Sequence, residues 1–147
     1  MSKDRIVIIT GFMFPHNSPR SFRATELAIG FAKKGFDVTI YSVLGQYDYT
    51  NFESDYNVKV RNLGKSYFGN VDSSGKSRRT FVNRALSRIF YNIIDYPRVE
   101  FFFKTIKALK KEDKIDYLIT IAHPFGNHWG AAYYKKYINN ISVNNFY

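Results

Sequence analysis

The run Arg5-Ile-Val-Ile-Ile-Thr10 constrains the fold of this chain more than any other stretch. Its apolar, largely β-branched residues follow one another without polar alternation, the pattern of a strand buried on both faces of a parallel sheet. Gly11 breaks the run, and Pro15, Asn17, Ser18 and Pro19 are turn formers that keep the backbone irregular to about Ser21. Apolar residues then recur at helical spacing: Phe22, Leu27, Ala28, Phe31 and Ala32. Glu26 near the start and Lys33-Lys34 near the end suit the helix dipole, and Gly35 is a natural stop. Residues 37–43 read as a second strand. Strand, crossover helix and strand within about 40 residues define an α/β unit with the first strand central.

The remaining chain extends this pattern. A third strand is expected at Val58–Leu63, after the polar and aromatic stretch 46–56, and residues 70–77 read as an exposed loop rich in Ser and Gly. Val82, Ala85, Leu86, Ile89, Phe90, Ile93 and Ile94 form a helical stripe. Pro97 starts another helix, with Val99, Phe102, Phe103, Ile106 and Leu109 at helical spacing. Residues 116–122 form a further buried strand, His128–Tyr137 a helix, and residues 138–147 open one more strand. The expected fold is α/β: a Rossmann-like open, mostly parallel sheet with helices on both faces, as a single domain over residues 1–147.

Composition excludes several classes. No apolar run approaches the roughly 20 residues of a membrane-spanning helix. The start Met1-Ser2-Lys3-Asp4 lacks the features of a secretory signal, so a cytoplasmic location is expected. With no cysteine there is neither a disulfide nor a thiolate chemistry to consider. Three scattered histidines without a carboxylate cluster indicate no metal site. The net charge of +10 is unevenly spread, since residues 76–114 hold 11 of the 22 Lys and Arg but only 4 of the 12 acids. Three readings of this basic, aromatic region stand side by side: core helices with a solvated basic face, docking of Arg84 and Arg88 to an anionic membrane on the inner face of the cell membrane, and, least supported, nucleic-acid binding without a recognisable motif.

Ligands of open parallel sheets bind beyond the carboxyl ends of the strands, which directs attention to the loop Gly11–Arg23 and the segment 123–128. Gly11, Ser18, Arg20, Ser21, Arg23 and Asn127 are candidates for holding an acceptor or a phosphate, because free helix N–H groups, hydroxyls and guanidinium groups suit an anion. His16, His123 and His128 lie in or beside these segments. There is no G-x-G-x-x-G or Walker A motif after the first strand, and Tyr41-Ser42 stand where a dinucleotide binder often presents an acid. A nicotinamide or flavin enzyme is therefore disfavoured.

Several pieces occur in an order and spacing that resemble the N-terminal domain of family-four-like glycosyltransferases, two-domain enzymes of the GT-B architecture. They are Phe14-Pro15, the Arg in Ser18-Pro19-Arg20-Ser21-Phe22-Arg23, Glu26-Leu27-Ala28, Lys33-Lys34-Gly35-Phe36-Asp37-Val38-Thr39, and Asp116–Pro124 followed by Gly130 and Lys135-Lys136. These cover about half the chain. Asn17-Ser18-Pro19 departs from the family's glycine pair, and Phe36 stands where a histidine is common. The resemblance implies retaining transfer of a sugar from a nucleotide donor to a polysaccharide or lipid-linked acceptor hydroxyl, without a bound metal. It also implies that no cofactor binds this chain and that the donor sits on a C-terminal domain absent from it, so that the chain alone is inactive. By the same resemblance His123 touches the transferred sugar, and Arg20 and Arg23 steady acceptor or diphosphate charge. Two other readings remain at this point: a non-enzymatic membrane-docking, acceptor-presenting subunit of a split transferase, and a lone Rossmann-like binding protein.

Overall fold

The computed structural model describes residues 3–64, 99–121 and 125–138. In chain order these form β1 (Arg5–Ile9), α1 (Pro19–Lys33), β2 (Asp37–Ser42), α2 (Thr50–Tyr56), β3 (Val58–Asn62), α3 (Glu100–Leu109), β4 (Tyr117–Thr120) and α4 (Gly126–Tyr137). The strands make one parallel sheet in the order β3-β2-β1-β4. This is an α/β domain with a Rossmann-like open sheet. Alternate residues of β1 explain its unbroken apolar run. Ile6 and Ile8 face α1 and α2 in a core with Ala24, Ala28, Ile29 and Phe52, whereas Val7 and Ile9 face α3 and α4 with Phe101, Leu109, Ala131 and Tyr134.

Helix α1 begins earlier than residue spacing predicts. Ser18 caps it by accepting the Ser21 N–H at 3.2 Å, and Pro19, with its fixed φ and no amide hydrogen, occupies the first turn. Glu26 consequently lies beyond the first turn, which contains no acid. The buried side is Ser21, Ala24, Thr25, Ala28 and Ile29, and Phe22, expected in the core stripe, is exposed. The end is as expected. Gly35, at φ +92°, donates to the Ala32 carbonyl, while the Phe36 N–H reaches the Phe31 carbonyl and the Phe36 ring meets Phe31 edge-on. This is a Schellman stop with its apolar contact, and it gives Phe36 a packing role.

The stretch 46–56 holds a helix, α2, that carries no apolar periodicity. It is held by Phe52 in the core, by Asp48 accepting from the Thr50 N–H and hydroxyl, and by Asn57 in the left-handed conformation at its end. Glu53 of α2 accepts the Val60 N–H of β3 at 2.5 Å, so this outward-facing amide of a strand at the edge of the described sheet is paired within the domain.

Helix α3 also differs from expectation. Its buried residues are Phe101, Thr105, Ala108 and Leu109, a stripe rotated away from Phe102, Phe103 and Ile106, and Phe103 is 66% exposed. The cause is close packing on α4. A Cβ on Gly130 would lie 2.6 Å from the Phe102 carbonyl oxygen and 2.9 Å from Thr105 Cβ, so small residues face each other where the helices meet. The predicted helix at 79–95, the loop at 70–77 and residues 139–147 of the predicted last strand lie outside the described residues.

The amino-terminal rim of the sheet is ionic. Arg5 contacts the carboxylate of Glu112, whose other oxygen accepts from the Tyr41 hydroxyl at 2.5 Å. Asp116 accepts the Arg5 N–H at 2.8 Å and pairs with Lys114, and Asp37 pairs with Lys59. Burial first, then the hydrogen bond to Glu112 and its charge, push the Tyr41 phenol well above its ordinary range, so it remains a donor.

Candidate functional site

The direction of the chain reverses between β1 and β4: β2 and β3 are added on one side of β1, and β4 on the other. In open α/β sheets the crevice beyond the carboxyl ends at this switch point receives ligands. Two segments border it. Ile9 pairs with Thr120, the Ile121 N–H donates to the Ile9 carbonyl at 2.9 Å, and Thr10 opens the β1–α1 loop.

The β1–α1 loop is firmly bolted despite its turn-forming composition. Thr10 closes the strand end by donating to the Phe12 carbonyl at 2.9 Å. The Phe14 N–H donates to Thr25 Oγ1 at 3.1 Å, the Thr25 hydroxyl donates to the Ser21 carbonyl at 2.9 Å, and the Tyr49 hydroxyl donates to the Phe14 carbonyl at 2.6 Å. Buried Met13 anchors the loop in the core. Its outer surface is aromatic. Phe12 and His16 stack at 4.7 Å, and the Phe14 ring meets Tyr47 edge-on at 5.3 Å, with Phe12, Phe14 and Tyr47 all exposed. Such rings present flat apolar faces beside hydroxyl and amide groups, a lining suited to a ligand with both apolar and hydrogen-bonding surfaces.

The sequence candidates separate into groups. Arg20 and Arg23 are exposed in the first turns of α1, without an acidic partner among the described residues. Gly11 is buried where β1 passes into the loop, and Ser18 is used as the helix cap. Ser21 and Asn127 do not meet the expectation of ligand-facing side chains. Ser21 is 1% exposed and serves through its backbone, whereas Asn127 is 0% exposed and accepts from Thr105 Oγ1 at 3.1 Å inside the α3–α4 interface. Both are turned inward because their helices present that side to the core. His123, Arg84 and Arg88 lie outside the described residues.

His128, which spacing alone did not select, is held at the crevice. Its Nδ1 shares a hydrogen bond with Thr120 Oγ1 at 2.5 Å, joining the first turn of α4 to the carboxyl end of β4, and its ring lies 6.5 Å from that of exposed Phe125. The ring is half-buried, and this burial lowers its pKa below the ordinary value, leaving a neutral imidazole at physiological pH. With Nδ1 engaged, Nε2 is the nitrogen available to a ligand. Helix α4 starts without a side-chain cap, and neither α1 nor α4 has an acid in its first turn. The amino ends of both helices are therefore electrostatically favourable to negative charge. Among the described residues no group of histidines and acids could hold a metal ion.

No protein-family model matches the chain, and no curated protein does. Its fold is similar to that of the C-terminal domain of a hydrogenase from Pyrococcus furiosus in two solved structures. One aligns with a TM-score of 0.53 at 12% identity, covering 100% of this chain and 94% of that one. The other has a TM-score of 0.52 at 13% identity and covers 99% and 94%. At this identity the likeness concerns architecture alone, and with the strand order it establishes a Rossmann-like α/β domain.

Proposed function

We propose that the chain is the acceptor-binding half of a retaining glycosyltransferase, which moves a sugar from a nucleotide-sugar donor to a hydroxyl of a polysaccharide or lipid-linked acceptor. The observation that carries this reading is the topological switch point between β1 and β4, beyond whose carboxyl ends open α/β sheets receive ligands. An aromatic loop follows β1, two exposed arginines stand in the first turns of α1, and a histidine is held at the start of α4. The donor would bind a second Rossmann-like domain outside these residues and meet the acceptor across the cleft. As the bond from the sugar to the diphosphate breaks, negative charge grows on the leaving oxygen, and Arg20, Arg23 and the amino ends of α1 and α4 supply compensating potential. His128 offers Nε2 to a sugar hydroxyl, and the resemblance adds His123 as a contact to the transferred sugar. The exposed rings of Phe12, Phe14 and Tyr47 suit the apolar face of an acceptor sugar.

The test is transfer from radiolabelled nucleotide sugars to glycan and glycolipid acceptors by the chain joined to a donor-binding domain. Replacing both Arg20 and Arg23 by alanine is expected to lower kcat/KM by about 10- to 1,000-fold, the range for loss of groups facing transition-state charge. Absence of transfer with every donor tried ends the transferase reading. Unchanged transfer by the double variant removes the α1 arginines from the site.

A further inference from the structure

We propose that the outer face of α3 and α4 docks the protein on an anionic lipid surface. The proposal stands apart from the transferase reading, because it rests on exposed rings and lysines of α3 and α4 that have no role in sugar transfer.

The first observation is a continuous aromatic ribbon. Ring centroids of Phe103 and Phe102 are 5.1 Å apart, those of Phe102 and Tyr133 5.6 Å, and those of Tyr133 and Tyr137 4.9 Å, so the ribbon crosses from α3 to α4. Trp129 stands one helical turn before Tyr133 on α4. Trp129, Tyr133 and Tyr137 are 48%, 43% and 63% exposed. The close approach at Gly130 turns Thr105 inward and leaves the Phe103 ring outside, with Phe102 between them half-buried. A run of exposed rings on adjoining helices is unusual for a surface that meets only water, and such contiguous patches mark contact sites.

The second observation is charge. Helix α4 has no acidic residue, and Lys136 lies over the Tyr137 ring at 5.1 Å. Lys107, Lys110 and Lys111 are exposed along and just beyond α3. The neighbouring acids are largely committed: Glu100 pairs with Lys104, and Glu112 is turned inward to Arg5 and Tyr41, leaving Asp113 as the exposed acid. Tryptophan and tyrosine, with an apolar ring and a polar tip, settle at the headgroup level, and lysine extends its charge towards lipid phosphate while its stem covers apolar surface. A second copy of the chain would bring the same lysines together, a like-charge arrangement that opposes self-association. The pattern therefore fits anionic headgroups.

Trp129 is the single tryptophan of the chain and stands one helical turn from the ribbon's Tyr133, so its fluorescence reports directly on this face. The full chain is mixed with vesicles of phosphatidylcholine alone or of phosphatidylcholine with phosphatidylserine. The expected result is a blue shift of Trp129 emission and co-sedimentation with the anionic vesicles only, both weakened by salt. Each of Lys107→Gln, Lys110→Gln and Lys136→Gln is expected to lower the partition coefficient about five-fold. Tyr137→Ser and Phe103→Ser, at exposed positions that preserve the core, are expected to reduce binding with an unchanged circular dichroism spectrum. Equal recovery from neutral vesicles overturns the proposal, as does binding with unshifted Trp129 emission, which assigns lipid contact to another part of the chain. A blue shift that grows with protein concentration in the absence of lipid also overturns it, in favour of self-association.

Discussion

Replacing Gly130 with alanine measures how tightly α3 and α4 are pressed together. The added methyl carbon would sit 2.6 Å from the Phe102 carbonyl oxygen, 2.9 Å from Thr105 Cβ and 3.2 Å from Thr105 Cγ2. Carbon atoms pack most favourably at about 3.5–4.0 Å, and the nearest obstacle is helix backbone, which cannot rotate aside. Overpacking of this kind costs about 1–3 kcal/mol. Moving the helices apart also weakens the buried hydrogen bond from Thr105 to Asn127, worth about 0.5–1.5 kcal/mol. Alanine's superior helix propensity returns about 1 kcal/mol. The net destabilisation is about 0.5–3.5 kcal/mol, centred near 2, which lowers Tm by about 4–8 °C for a chain of this length. Gly30 is the internal control: it lies in α1, and a Cβ there meets nothing within 4 Å. Gly30→Ala is expected to stabilise by up to about 1 kcal/mol. Urea unfolding and thermal circular dichroism on both variants give the answer. If Gly130→Ala unfolds at or above the wild-type midpoint, the close helix approach is not a constraint on stability, and the explanation given for the rotated face of α3 fails with it.

Glu112→Ala removes the shared partner of Arg5 and the Tyr41 hydroxyl and is expected to cost about 2–3 kcal/mol in urea unfolding, with Glu112→Gln costing less; equal stability of all three proteins would show the ionic rim to be dispensable. Burial lowers the His128 pKa, so the unfolded chain takes up its proton first as pH falls. The His128 contribution to stability is therefore complete above the unfolded value of about 6.5 and is lost as pH falls towards the folded value. Unfolding free energies across that window should slope less in His128→Gln, and an unchanged slope refutes the assignment. Gly35→Ala forces a side chain into φ +92° and is expected to cost about 1–2 kcal/mol, visible as a lower urea midpoint; no change would mean that the helix end relaxes freely.

Strands β1, β2 and β4 were legible because their apolar runs are set by local burial on both sides, β3 because Val58 and Val60 alternate with exposed Lys59 and Arg61, and the end of α1 because glycine suits its left-handed turn. Helix α2 was not: seven residues without an apolar stripe are held by Phe52, Asp48 and Asn57 acting from outside any periodic pattern. The orientation of α3 was hidden for a related reason, since Thr105 and Ala108 face inward only because Gly130 comes close, a fact of tertiary contact. Of the candidate segments, the loop from Gly11 follows the carboxyl end of β1 and runs into the first turns of α1, an order set by the strand and helix patterns. The inward turn of Ser21 and Asn127 depends on how their helices dock. His128 owes its position to a hydroxyl eight residues earlier on another element, a pairing that has no periodic signature.

Asp116 returns a backbone hydrogen bond to Arg5, so the opening strand completes its pairing with a segment 111 residues further along. On a ribosome that adds about 5–20 residues per second, this partner follows after about 6–22 seconds. During that interval β1 can pair with β2 on one side while its other edge, with Val7 and Ile9, lacks the β4 neighbour that finally covers it. The strand around which the sheet is organised thus emerges before the other described strands and is among the last to be enclosed. Nascent-chain protection and chaperone dependence in this protein should centre on residues 5–9 until β4 has emerged.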